Sequence, residues 1–571
     1  MSLLLHLENL VIEWVKANCP QAAPQGNFVT ACQDEKFGHF QTNAAMISAK
    51  ILKKNPRELG QTLADFCAKD FSLKKPQVAG PGFVNFTFKN SAILEAFGEI
   101  LNDPHLGVAQ AKHPLAYVVD FSSPNVAKSM HVGHIRSTIL GWSITQTLRA
   151  LGHTVITDNH LGDWGTQFGK IILGYKRAGC PEWNPENAIA QMEKIYQETH
   201  QACEKDDALL EQARQELLKL QSGDKENNRL WHLFIDDSRK EFDAIYARLG
   251  VAFDYTLGES FYNPWLKETV EDLRKKKIAE ESQGATAIFF SGIKELEDKP
   301  FLIEKSDGAA LYATTDLATV RYRAKEFKLD GIIYVTDGRQ QLHFAQLFNA
   351  ARRWGYDKIK FEHVWFGSIL GKDKKPLKTR EGTPIKLKEL LDEAESRSLA
   401  ILKEKRPDLA PGKATLLARV IGIGALKYAD LMQNRNLDYV FDWDKLLAFE
   451  GNTAPYLINA YVRTRSILRK ADAEPQPLPL VGEHALDFDL MRKLMDFGDV
   501  VTLTAQELRP HYICTYLYEL ASLFHRFFEN CPVLKASSEN LKNTRLQLCQ
   551  TTGSILQKGL FLLGIETVEE M

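Results

Sequence analysis

The sequence is short of most features that mark specialised protein classes. None of its apolar runs approaches the ~20 residues of a membrane-spanning helix, which argues against a membrane partner. The N-terminal stretch Met1-Ser2-Leu3-Leu4-Leu5-His6-Leu7-Glu8 lacks a basic start. Glu8, Glu13 and Lys16 interrupt its apolar positions, so it reads as an amphipathic helix and not as a secretory leader. The eight cysteines (19, 32, 67, 180, 203, 514, 531 and 549) form no C-x-x-C pair. That scatter supplies neither a zinc site nor a disulfide framework, and it fits the reducing cytoplasm. Internal repeats and low-complexity tracts are absent. Charge of one sign is scarce as well, since 71 basic residues against 73 acidic ones leave a net charge of −2. Any surface for a polyanion must therefore be a local patch on a neutral body.

What is present is ordinary for a globular chain: 44% hydrophobic and 25% charged residues over 571 positions, which predicts about three domains. Residues 1–112 read as a small α+β unit. Its start has helical spacing, and Gly80-Pro81-Gly82 then introduces the alternating strand Phe83–Phe88. Residues 113–405 begin with a buried strand at 115–120, a loop, a helix from about His134 to Leu151 and a second strand at Thr154–Thr157. This βαβ unit, with a later strand at Ile332–Val335, predicts a doubly wound, Rossmann-like parallel sheet. A helical insertion at about 183–250 carries the stripe Leu209, Leu210, Ala213, Leu217, Leu220 with a charged opposite face, which reads as structural. Residues 406–571 read as an all-α helix bundle entered through Pro407 and Pro411. Leu517, Leu520, Phe524 and Phe527 form one of its core stripes.

The chemistry concentrates in Asp120-Phe121-Ser122-Ser123-Pro124-Asn125-Val126-Ala127-Lys128-Ser129-Met130-His131-Val132-Gly133-His134. It lies between a predicted strand and a predicted helix, where parallel α/β sheets bind nucleotides. A helix N-terminus offers free N–H groups to phosphates. The two imidazoles add donors, and Gly133 leaves room for a flat base against the backbone. A metal-binding histidine pair is the alternative, and no Cys/Asp/Glu cluster accompanies these two to support it.

This segment resembles the HIGH signature of class I aminoacyl-tRNA synthetases. The wider run from Ser122 to Thr138 is similar to that of arginyl-tRNA synthetases. So are His160–Gln167, Gly258-Glu259-Ser260, Asp307–Ala318, Leu342-His343-Phe344, Glu450–Tyr456 and Leu563–Val568, in the family's order. The resemblance implies ATP-dependent ligation of L-arginine to its tRNA through an arginyl-adenylate, with Mg²⁺ accompanying the ATP. It makes His131 and His134 the ATP and transition-state contacts, with Gly133 beside the adenine. It places Tyr312 and Asp316 in the arginine pocket, with Ser123, Asn125, Glu259 and Gln340 around the substrate. Tyr312 and Asp316 are four apart and share a face if helical, although Asp316 also fits a helix cap. Gln341 competes with Gln340 for the same role.

One departure concerns the family's second signature, KMSKS. The corresponding stretch, Pro376–Gly382, has Pro376 and Thr379 where the signature has lysines. Lys128, just before the HIGH motif, is the candidate replacement cation, with Lys378 and Arg380 as loop contacts to ATP. Residues 371–388 carry seven basic and two acidic residues, a local +5 that suits phosphates or a tRNA acceptor end. A second basic cluster is Arg463, Arg465, Arg469 and Lys470. By resemblance the C-terminal bundle binds the anticodon, with Tyr512 and Tyr516 as stacking candidates. Residues 1–112 contact the tRNA elbow and D-loop, with Phe37 and Phe40 on an exposed aromatic loop. With no coiled coil or self-complementary patch, the chain reads as a monomer. The competing readings are an adenylate-forming HIGH-family enzyme that charges no tRNA, and a catalytically inactive synthetase-derived tRNA-binding protein. The helical last third argues against the first, and the intact His131, Gly133, His134, Tyr312 and Asp316 against the second.

Overall fold

Ser2 caps the first helix, its hydroxyl accepting from the Leu5 N–H at 3.1 Å. That helix, α1 (Leu3–Asn18), buries Leu7, Val11, Trp14 and Val15 on one face. The computed structural model describes residues 2–32, 34–184, 187–377, 384–471 and 475–571. In its N-terminal unit, β1 (Val29–Ala31), β2 (Phe40–Thr42), β3 (Gln77–Ala79) and β4 (Phe83–Phe86) form an antiparallel sheet of order β1-β2-β4-β3. Helices α2 (Ala44–Leu52), α3 (Pro56–Cys67) and α4 (Asn90–Leu101) complete it. Glu8, a polar interruption in the sequence, is buried. Its carboxylate accepts from the N–H groups of Phe28 and Val29 at 2.9 and 2.8 Å, so the charge is satisfied and pins the chain entering β1.

This unit corrects one expectation. Phe40 is not on an exposed loop. It points inward from β2, 6% exposed, with its ring edge against Phe88 at 6.0 Å. Of the two, Phe37, 47% exposed, is the one available to a partner.

The central region runs β5 (Ala116–Phe121), α5 (Val132–Ala150), β6 (Thr154–Asp158), α6 (Thr166–Arg177), then the insertion helices α7 (Ala188–Cys203), α8 (Asp207–Gln221) and α9 (Lys225–Leu249). It continues with α10 (Asn263–Lys275), a small antiparallel sheet of β7 (Glu280–Ser282), β8 (Ala285–Ile288) and β9 (Phe301–Glu304), then α11 (Tyr312–Phe327), β10 (Gly331–Val335), α12 (Gln341–Ala351) and β11 (Lys360–His363). The main sheet, order β11-β10-β5-β6, is wholly parallel. Its side chains alternate between two cores. Val119, Phe121, Ile333 and Val335 pack with α5, while Val118, Ile332 and Tyr334 pack with residues of α10, α11 and α12. Coverage on both faces is why these strands read as continuous apolar runs. Chain order reverses between β5 and β10, and a ligand crevice is expected at their carboxyl ends.

Beyond the sheet, β12 (Ile369–Leu370) pairs with β13 (Tyr439–Val440), and α13 (Leu387–Lys405) packs along α14 (Pro411–Leu431). The rest is helical: α15 (Trp443–Leu446), α16 (Ala454–Ala471), α17 (Ala485–Met495), α18 (Phe497–Glu507), α19 (His511–Asn530) and α20 (Glu539–Leu562). The stripe Leu517, Leu520, Phe524, Phe527 is fully buried in this bundle. So is Tyr516, which corrects a second expectation. Its hydroxyl donates to the Lys493 carbonyl at 2.8 Å, and its ring is 2% exposed, so no base can stack on it. Tyr512 is half-buried beside His511. Among the described residues no helix is long and apolar enough to cross a membrane.

Candidate active site

The loop between β5 and α5 sits at the carboxyl end of the sheet in an unusual backbone path. Ser122, Ser123 and Ala127 all have positive φ, at 72°, 49° and 64°. Non-glycine residues hold such angles only where the surroundings impose them. Here the Ser122 N–H donates to Ser137 Oγ at 2.8 Å and the Ser123 N–H to Asn159 Oδ1 at 3.1 Å. The Ala127 N–H donates to Ser238 Oγ of α9 at 3.1 Å. The buried Tyr246 hydroxyl, also on α9, joins Ser122 Oγ at 2.8 Å and accepts from Asn159 Nδ2 at 3.1 Å. The insertion is therefore the clamp of this loop. Asn125 stands exposed on a bridge to Gly162. A Cβ at Gly162 would fall 2.2 Å from Asn125 Oδ1, which explains the glycine in the His160–Gln167 segment.

His131 is the N-cap of α5, and His134 is its third helical residue. Each accepts a backbone hydrogen bond at Nδ1: His131 from the Gly133 N–H at 3.1 Å, His134 from the His131 N–H at 3.0 Å. In the neutral ring the proton then resides on Nε2, and each histidine presents that N–H outward. Burial, then the charge of His131, pushes the His134 pKa down to about 3. Burial, then Arg339 and Lys128, lowers that of His131. Both rings are thus neutral donors, suited to phosphate oxygens. Gly133 is exposed between them, and a Cβ there would meet the His131 ring at 2.9 Å.

The carboxylates form a second group. Asp316 lies in the second turn of α11, inside the helix and not at its cap, four residues after Tyr312. Its Oδ2 lies 2.6 Å from His343 Nε2. Burial alone would lower the His343 pKa, but the hydrogen bond and charge of Asp316 together raise it. Glu259 is pushed up to about 8, by burial first and then by the charges of Asp316 and Asp163. Tyr312, two-thirds exposed, is raised by partial burial and by Glu259. The charge of Glu259 is thus felt at Tyr312 and that of Asp316 at Glu259, while Asp316 holds His343 directly. Among the described residues neither Glu259 nor Asp316 pairs with a Lys or Arg. Asp120 and Asp158 at the strand ends behave differently, since both share the fully buried Arg323 at 2.6 and 2.8 Å. Ser123 Oγ donates to Asp120 Oδ1 at 3.1 Å. Gln340 is exposed and makes no side-chain hydrogen bond among the described residues, whereas Gln341 Nε2 donates to the Gly338 carbonyl at 3.0 Å.

Cations flank the histidines. Lys128 is exposed with its Nζ 5.4 Å from the Tyr196 ring centroid. Arg339 forms a two-pronged bond to Asp337, and its charge reaches His131. Lys378 and Arg380 lie outside the described residues. The +5 window is less free than its composition suggests: Lys372 pairs with Asp442, Lys386 with Glu193 and Lys388 with Asp392. Lys386 also bridges His131 through the backbone, and Glu193 accepts from the Ser129 N–H at 2.7 Å, so this segment is stitched to the HIGH loop. In the second cluster Arg465 pairs with Glu569, and Arg463 lies over the Phe528 ring. Sequence reasoning missed Tyr246, Ser238, Glu193, His343 and Arg339 as site residues. Only His343 carried a local signal, in Leu342-His343-Phe344.

Three family models match in succession: the arginyl tRNA synthetase N terminal domain over residues 6–88, the class I (R) tRNA synthetase catalytic domain over 97–443, and the DALR anticodon binding domain over 457–571. The arginine–tRNA ligase of Shewanella baltica is 42% identical over 581 aligned positions, covering 99% of this chain and 100% of that one. That of Salmonella enteritidis is 43% identical over 545, covering 94% of each. Among solved structures, arginyl-tRNA synthetase from Plasmodium falciparum superposes with a TM-score of 0.86 at 27% identity, covering 100% of this chain and 99% of that one. The Thermus thermophilus enzyme gives 0.86 at 25%, covering both chains fully. With this fold, these motifs and relatives matched from end to end, the chain belongs to the arginyl-tRNA synthetase family of class I aminoacyl-tRNA synthetases.

Proposed function

We propose that the protein joins L-arginine to its tRNA in two steps, with the roles divided as follows. The carboxylate of arginine attacks the α-phosphorus of ATP. A bond to the α-phosphorus forms, the bond to pyrophosphate breaks, and arginyl-adenylate results. The terminal ribose hydroxyl of the tRNA then attacks the arginyl carbonyl, and AMP leaves. His131 and His134 donate Nε2–H to phosphate oxygens, where charge develops, without changing protonation. Lys128 supplies the positive charge at the α-phosphate, with Arg339 beside it and Lys378 and Arg380 on the following loop. Mg²⁺ enters with the ATP.

The guanidinium of arginine docks between Glu259 and Asp316, with Tyr312 over it and Ser123, Asn125 and Gln340 toward its other end. One observation carries this assignment: Glu259 and Asp316 are half-buried carboxylates whose charges act on each other, and among the described residues neither pairs with a Lys or Arg. A planar fork of donors satisfies both, and a substrate lacking it leaves buried acceptors unpaired. Residues 1–112 contact the tRNA elbow, 113–405 perform the chemistry and 406–571 read the anticodon. The enzyme works as a monomer in the cytoplasm.

The test is charging of arginine tRNA with arginine and with lysine in parallel, then pyrophosphate exchange, with tRNA present, for Lys128→Ala. Arginine alone is expected to be charged, and the variant to lose about 10²–10³ in kcat. Charging with lysine would overturn the pocket, and an unchanged kcat the role of Lys128.

A further inference from the structure

Phe71 is 92% exposed, an extreme for a phenylalanine on a folded unit. Its loop, between α3 and β3, is firmly held. Asp70 accepts from the Ser72 N–H at 2.8 Å, and its other oxygen lies 2.8 Å from His6 Nε2. Lys89 Nζ donates to the Phe71 carbonyl at 2.9 Å, and the Lys89 N–H donates to the Ser72 carbonyl at 2.8 Å. The ring is presented to solvent by a pinned backbone, which lowers the ordering cost of binding anything to it.

The surroundings indicate what binds. Lys69, Lys74, Lys75 and Lys89 are all exposed around this loop, and none is in an ion pair among the described residues. The one acid within the loop, Asp70, is occupied by His6 and Ser72. The loop is also tied, through residues 86–89, to the segment that follows Phe37. Residues 86–89 run between two segments: His39 bonds Phe86 and Phe88 on one side, while Lys74 bonds Thr87 on the other at 2.8 Å. Phe37, with Lys36 Nζ 5.0 Å from its ring centroid, leads into the first segment, and Phe71 into the second. Burial first, then Arg492 and then Lys74, lowers the His39 pKa.

We infer that Phe71 is a stacking platform for an unpaired base of the tRNA, with Lys69, Lys74, Lys75 and Lys89 on the flanking phosphates. Flat exposed aromatics interleaved with free lysines are the chemistry of single-stranded nucleic acid binding. The inference rests on the reading that residues 1–112 contact tRNA, and it names a second contact there besides Phe37.

The experiment compares full-length wild type with Phe71→Ala, Phe71→Trp, Phe37→Ala and Lys74→Ala/Lys75→Ala. It measures the Kd for arginine tRNA at several salt concentrations, the KM for ATP and arginine, and mass as a function of protein concentration. Phe71→Ala is expected to weaken tRNA binding about tenfold. Phe71→Trp should restore it to within about threefold, and the lysine pair should flatten the salt dependence. A Phe71→Ala Kd within twofold of wild type overturns the inference. So does an equal rise in the KM for ATP, which marks a folding fault, or concentration-dependent mass lost in Phe71→Ala with the tRNA Kd unchanged, which assigns the patch to self-association. If Phe37→Ala weakens tRNA binding and Phe71→Ala does not, the tRNA-contact reading of residues 1–112 survives without the Phe71 platform. If neither does, both fall.

Discussion

In the proposed arginine pocket, the Glu259 carboxylate is held against its charge by burial first, then by Asp316 and Asp163. Its pKa of about 8 means that it is mostly protonated at neutral pH before arginine arrives. A guanidinium beside it favours the charged form, so arginine binding should expel a proton. Affinity for arginine is then expected to rise as pH goes from 6 to 8.5. Calorimetry at pH 7 in buffers of different ionisation enthalpy should show a proton released, and a buffer-independent enthalpy would refute it. Stability follows the opposite course. The folded pKa lies above the ordinary 4.5, so the folded state holds the extra proton between those values, and rising pH through that window destabilises it. Glu259→Gln should therefore raise Tm at pH 8.5 while raising the KM for arginine at least tenfold. At this scale the sequence put His131 and His134 at the start of a helix that follows a strand, and the structure has them there. It was misleading for Phe40 and Tyr516, because an aromatic that could stack a base could equally fill a core. For both, the spacing held the answer. Phe40 and Thr42 alternate inward on β2, and Tyr516 lies on the face of Ile513, Leu517 and Leu520.

Among the elements, α9 has the role least visible in the sequence. The β5–α5–β6 unit and β10 could be read from apolar runs and short loops, because those signals are local. The insertion could be read as helical from its stripe, but its function depends on contacts made 111 and 124 residues away, by Ser238 to Ala127 and Tyr246 to Ser122. No periodicity reports such a contact. The charged face that reads as mere solvation includes Glu193 on α7, which holds both Ser129 and Lys386. Tyr246→Phe tests the clamp. It leaves Ser122 Oγ and Asn159 Nδ2 without their shared partner while the backbone at Ser122 and Ser123 remains at positive φ. A shift of the loop by a fraction of an ångström should lower the kcat of adenylate formation by about 10–100-fold. The Kd for tRNA should stay within twofold. A kcat within twofold of wild type would show that the loop holds its shape unaided.

Across the whole molecule, α5 is bolted to the C-terminal part by a buried ion pair. Arg136 follows His134 by two residues on α5, and its Nε lies 3.0 Å from Asp430 Oδ2 of α14, both side chains 1% exposed. Its Nη1 donates to the carbonyls of Gly367 and Leu437 at 2.7 and 3.3 Å, and its guanidinium sits between the Phe366 and Tyr439 rings. One side chain thus joins α5, the approach to β12 and the approach to β13, which explains the arginine in the His134-x-Arg136-Ser137-Thr138 motif. A buried pair of this kind contributes little net stability, but removing one partner strands a charge and costs about 3–5 kcal/mol. Asp430→Ala is therefore expected to lower Tm by several degrees and to reduce kcat, since the guanidinium would drag the start of α5 in seeking a new partner. Replacing both, as Arg136→Met with Asp430→Leu, removes the stranded charge and should recover much of the lost Tm. It should not recover kcat, because the anchors to Gly367 and Leu437 go with the guanidinium. Thermal melts and pyrophosphate exchange on the two single variants and the double variant separate these effects. If Asp430→Ala melts within a degree or two of wild type, the pair does not hold the two parts together. If the double variant regains full kcat, the placement of His131 and His134 does not depend on it.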